Sequence, residues 1–169
     1  MEQNENKKIE LKDKLISFYN TNKVKIYTFI GILIIIVISL AFIKISNEKR
    51  NILIGNKYIK AGLYLTSGKK DQSKNLYEEI IFSKNKFYSI LALNNLIEKN
   101  LISDKNEILN FFKIVEKINI PQEQRDLVVF KKALYLIKIG NIKEGNDLLK
   151  NLINKESELK TLAQEIISE

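Results

Sequence analysis

The chain has no cysteine, no histidine and no tryptophan, a single proline and six glycines in 169 residues. Without cysteine there is no disulfide framework in any compartment, and lipoprotein modification is excluded. Without histidine the commonest metal ligand and general base is missing. A Gly-rich phosphate loop and a G-x-S-x-G elbow are absent too. The one adjacent carboxylate pair, Glu78-Glu79, lies about 100° apart around a helix axis, so the two groups diverge. These absences point away from an enzyme and from any metal or cofactor, and the expected site inventory has no catalytic residue.

Basic residues outnumber acidic ones 28 to 20, but only Arg50 and Arg125 are arginine. Bidentate phosphate recognition favours arginine. The lysines are scattered, with no block interleaved with aromatics of the kind that tracks a phosphate backbone. With 29 isoleucines and many asparagines, the excess reads as an AT-rich codon bias, and no nucleic-acid partner is expected.

What the chain does have is a long apolar run. Residues 26–43, IYTFIGILIIIVISLAFI, carry no charge and lie between Lys25 and Lys44. Eighteen residues of helix span about 27 Å, close to the ~30 Å hydrocarbon core. Thirteen of them are Ile, Leu, Val or Phe, which favours insertion by about 4–8 kcal/mol. Residues 1–25 are too long for a signal-peptide n-region, and no small-x-small cleavage site follows Ala41. The run is therefore expected to be an uncleaved transmembrane anchor between a tail, 1–25, and a domain, 44–169. Six basic residues precede it (Lys7, Lys8, Lys12, Lys14, Lys23, Lys25) and five follow closely (Lys44, Lys49, Arg50, Lys57, Lys60), so the charge rule barely discriminates. The short tail before one span and a long domain suggests a tail in the cytoplasm and a domain outside. Gly31 and Ser39, eight residues apart, are candidates for close packing against another span.

Beyond the anchor the pattern is helical throughout, and the fold class is all-α. Segments 51–68, 71–82, 88–100, 103–118, 124–140, 142–153 and 157–167 are expected helices. In the first, Ile52, Ile59, Leu63 and Leu65 form the apolar face. In the second, Asp71 is the expected N-cap, with Leu76, Ile80 and Ile81 buried. Pro121 opens a helix after a break. Periodicity joins them in pairs: Ala61, Tyr64, Gly68, Ser73, Tyr77 and Ile80 share a register with Ala133, Gly140-Asn141, Gly145, Leu149 and Leu152. Gly68 and Gly140 are 72 residues apart, about two repeats of ~34 residues plus an insertion. Ala92 marks a degenerate middle pair, and 157–169 is a cap. This is the expected layout of a short right-handed tetratricopeptide-like solenoid.

The run VKIYTFIGILIIIVISLAF, the segment ISNEKRNILIGNKYIKAG and the repeat EQRDLVVFKKALYLIKIGN together resemble the ancillary SecYEG translocon subunit family (YfgM-like). That family shares its repeat module with a periplasmic cell-division coordinator. The resemblance covers nearly the whole chain and implies a single-pass protein of the bacterial inner membrane with its repeats in the periplasm. Its implied partners are translocon subunits, periplasmic chaperones or secreted clients; the alternatives are an envelope or cell-division scaffold of the same fold and a membrane-bound cytoplasmic adaptor. Tyr58, Leu65, Phe130, Leu134 and Ile137 are expected on the concave face of such repeats as partner-binding residues. Tyr58 and Phe130 occupy equivalent positions.

Overall fold

Between residues 26 and 66 nothing breaks a helix: there is no proline, and Gly31, Gly55 and Gly62 stand well apart. The computed structural model describes residues 2–168, leaving out the side chains of 2–11, 13, 15 and 26. It carries this stretch in one helix, α1 (Glu2–Thr66). The side chains of Lys7, Lys8 and Ile26, which entered the tail and anchor assignments, lie outside the described residues. By contacts the chain divides into two units, Met1–Lys49 and Arg50–Glu169.

In the first unit, α1 includes a window of mean hydropathy 2.7, none of it buried within the protein. Phe29, Ile35 and Phe42 are 65–73% exposed, as lipid-facing side chains would be. The hydroxyls of Thr28 and Ser39 donate to the carbonyls of Val24 and Ile35, each at 2.8 Å, so both are satisfied within the helix. α1 is thus long and apolar enough to cross a membrane.

The second unit begins with the last turns of α1 and continues through α2 (Lys70–Phe82), α3 (Tyr88–Glu98), α4 (Lys105–Glu116), α5 (Gln122–Lys138), α6 (Ile142–Asn154) and α7 (Lys160–Ser168). The described residues contain no strand. α2 packs on α3, α3 on α4, α4 on α5, α5 on α6 and α6 on α7. The main core joins Ala61, Tyr77, Ile80, Leu96, Phe112 and Val115, all at most 1% exposed. A second cluster centres on Ala133, Leu149 and Ala163.

Four helices end in the same way: α6 does so at Glu156, with the Ser157 N–H reaching the Leu152 carbonyl oxygen at 3.1 Å, and so do α1, α3 and α5. Gly68, Asn100 and Gly140 have φ of 75°, 48° and 94°, the left-handed turn that closes a helix. Behind each, a backbone N–H reaches back five residues: Lys69 to Tyr64 at 2.9 Å, Leu101 to Leu96 at 3.0 Å, and Asn141 to Leu136 at 2.8 Å. The correspondence at 72 residues runs further. α2 and α6 each have 13 residues and start 72 apart, as do α3 and α7. Lys84 and Glu156, just beyond α2 and α6, both adopt positive φ, 55° and 53°. The match weakens at the last helix. Leu162 of α7 is 49% exposed, whereas Ile90 at the corresponding place in α3 is 9% exposed.

Two sequence expectations are corrected. Of the expected face Ile52, Ile59 and Leu63 are 59–61% exposed and only Leu65 is half-buried, while α1 buries Ile54, Gly55 and Ala61, with Tyr58 half-buried beside them. Both rows are apolar, so hydrophobic spacing could not separate them. Small size could, because a Cβ on Gly55 would sit 2.7 Å from Tyr88 Oη: the glycine lets α3 approach. The N-cap of α2 is Lys69, not Asp71. The Gly68 turn uses the Lys69 N–H to close α1, so α2 follows at once, and Asp71 falls within its first turn, where its charge suits the helix dipole. Leu76 is half-buried, whereas Ile80 and Ile81 are fully buried. Pro121 is the N-cap of α5.

Candidate interaction groove

Helix spacing explains an apolar surface feature of the second unit. On α5, Lys131, Leu134, Tyr135 and Lys138 follow the i, i+3, i+4, i+7 pattern and share one face. On α3, Asn94, Ile97 and Glu98 do the same over one turn. The two faces line an open, mostly apolar cavity of about 250 Å³. That lies below the ~300–1,000 Å³ usual for small-molecule sites and suits an inserted side chain.

Its floor is anchored in the core. The Tyr135 ring lies 6.0 Å from that of Phe112 at 42°. Burial, and then the negative charge of Asp104, push the Tyr135 phenol pKa up from its ordinary 10.0, so a hydroxyl already neutral at physiological pH is held further from ionisation. Asn94, Glu98, Lys131, Lys138 and the Tyr135 hydroxyl make no side-chain hydrogen bond or ion pair among the described residues. By contrast Lys132, next to Lys131 but on another face, is held by Glu116 at 2.9 Å.

The five residues expected at a partner surface are not brought together here. Leu134 lines the cavity. Tyr58 packs 5.7 Å from Tyr77 and 5.6 Å from Tyr88, ring to ring, and accepts a hydrogen bond from Asn95 Nδ2 at 2.9 Å. Phe130 and Ile137 pack on the second cluster, and Leu65 is half-buried at the end of α1. Residues 58 and 65 match 130 and 137 at the 72-residue offset, as the register required. Asn94, Ile97, Glu98, Lys131, Tyr135 and Lys138 were not singled out from sequence. The spacing on α5 was a readable signal, but the adjacency of α3 and α5 is tertiary information.

In the first unit, a Cβ on Gly31 would meet nothing within 4 Å, and the Ser39 hydroxyl is engaged by its own helix. Elsewhere, Lys74 bridges two carboxylates, Glu78 of α2 at 3.4 Å and Glu107 of α4 at 3.6 Å. Burial, opposed by Lys74, raises the Glu78 pKa. Glu79 pairs instead with Lys57 at 2.7 Å. The described residues hold no cluster of three or more Asp or Glu placed for a metal ion.

No family model, curated protein or solved structure matches this chain.

Proposed function

We propose that this chain is a membrane-anchored helical-repeat module that binds other proteins, its repeats being tetratricopeptide-like pairs α1–α2, α3–α4 and α5–α6. The observation that carries this reading is the recurrence, 72 residues apart, of the same helix end, the same 13-residue second helix and the same left-handed residue beyond it. Stacked pairs bury a continuous core and leave a groove lined by their first helices, and the cavity between α3 and α5 is such a place. The anchor adds to binding by confinement, since a tethered module meets its partner at a high effective concentration.

The architecture of a tail, one span and about three helix pairs supports the inner membrane of a bacterium as its location, with the pairs on the periplasmic side. There it would act as an ancillary subunit beside the SecYEG translocon, contacting chaperones or emerging clients. Two measurements test this. In spheroplasts, external protease should digest residues 44–169; protection until lysis would put the pairs in the cytoplasm and remove the periplasmic assignment. A photo-crosslinker at Leu134 should capture translocon subunits or periplasmic chaperones. Capture of cell-wall synthesis proteins would replace the translocon role with an envelope or division role.

A further inference from the structure

The described residues include five half-buried lysines: Lys57, Lys74, Lys131, Lys132 and Lys160. Four have a carboxylate within 4 Å, from Glu79, Glu78 with Glu107, Glu116 and Glu156 in turn. Lys131 has none, and it is the one that lines the α3/α5 cavity. A half-buried lysine beside an apolar surface gains when a counter-charge reaches its ammonium.

We infer that the groove takes a peptide segment of a partner protein that carries an apolar anchor residue flanked by carboxylates, one of which pairs with Lys131. This rests on the interaction-module reading. Lys138 lies seven residues further along α5, two turns or about 10.5 Å, and is also without a carboxylate. An extended peptide rises about 3.3 Å per residue, so carboxylates three positions apart reach both lysines. The apolar side chain between them enters the space over Ile97, Leu134 and Tyr135. The unengaged Asn94 amide and Tyr135 hydroxyl can hydrogen-bond the peptide backbone. Glu98 is the only acidic residue of the lining, and it disfavours segments acidic throughout.

The test uses the full chain in lipid nanodiscs and two labelled peptides, Gly-Ser-Asp-Leu-Ala-Asp-Ser-Gly and the same peptide with both Asp replaced by Lys. Fluorescence anisotropy should show the acidic peptide binding at least tenfold tighter than the basic one. Lys131→Glu should abolish that preference and improve binding of the basic peptide, while Lys150→Glu, on exposed α6 surface, should leave it unchanged. Circular dichroism checks that each variant is folded. Equal binding of both peptides, no binding of either, or an unchanged preference in Lys131→Glu overturns the inference, as does displacement of the acidic peptide by phosphatidylglycerol vesicles with equal strength in wild type and Lys131→Glu. The crosslinker at Leu134 separates the two levels. A protein captured equally by wild type and Lys131→Glu leaves the module reading standing and removes the charge assignment. Absence of any captured protein removes both.

Discussion

Gly145 and Ile137 pack so closely that a Cβ on the glycine would lie 2.6 Å from Ile137 Cγ1 and 2.8 Å from the backbone carbonyl oxygen of Ala133. The crossing of α5 and α6 depends on that missing carbon. Gly145→Ala is therefore expected to destabilise the domain by about 1–3 kcal/mol, the usual range for overpacking. Gly62→Ala is the contrast: its nearest neighbour is Tyr77 Oη at 4.0 Å, and gained helix propensity should stabilise by up to ~1 kcal/mol. Urea titrations of both variants check the pair, and equal shifts in one direction would refute the close-approach argument.

The helix-ending turns give a second prediction. Gly68 and Gly140 sit at positive φ in open space, so alanine at either should cost about 1 kcal/mol through backbone strain alone. Asn100→Gly, at the matching turn of α3, should be neutral or stabilising. Melting temperatures of the three variants decide this.

A third concerns the tyrosine cluster. Asn95 Nδ2 donates to the hydroxyls of Tyr58 and Tyr77 at 2.9 and 3.1 Å, tying α3 to α1 and α2. Asn95→Ala should cost about 1–2 kcal/mol, because the half-buried Tyr58 hydroxyl and that of the buried Tyr77 lose their donor. In a double-mutant cycle with Tyr58→Phe, the effects should be less than additive.

The fourth is a pH dependence. Burial raises the Glu78 pKa above its ordinary value of 4.5, so over the interval just above 4.5 the folded state holds a proton that the unfolded chain has released. Stability from this group is present at low pH and declines as pH rises through the folded pKa. Glu78→Gln should flatten that decline while leaving the Lys74–Glu107 pair in place. Chemical denaturation between pH 4 and 7 reads it out, and an unchanged slope would assign the dependence to other groups.

Helix positions were legible from the chain because their punctuation is local: Gly68 and Gly140 need positive φ, and Pro121 cannot continue a helix. The 72-residue register was legible for the same reason. Which residues of the last α1 turns face inward was not, since Ile52, Ile59 and Leu63 are as apolar as Ile54 and Ala61. Hydrophobicity measures a residue's tendency to leave water, whereas burial here was decided by the room that Gly55 and Ala61 make. The groove was hidden for a different reason. Leu134 could be picked from its own helix, but Lys131 gains meaning only beside α3 and among lysines already paired, and pairing is a property of the folded chain.

The exposed Leu162 bears on how the domain comes apart. α3 is flanked by α2 and α4, whereas nine-residue α7 packs chiefly on α6, with Ala163 as its fully buried residue. Free energies of local opening follow buried contact, so unfolding has a preferred end. Amides of α7 should exchange with solvent deuterium first, those of α5 and α6 later, and those around Leu96 and Phe112 only on global unfolding. The domain would loosen at its carboxy-terminal edge while the α3/α5 groove stays formed.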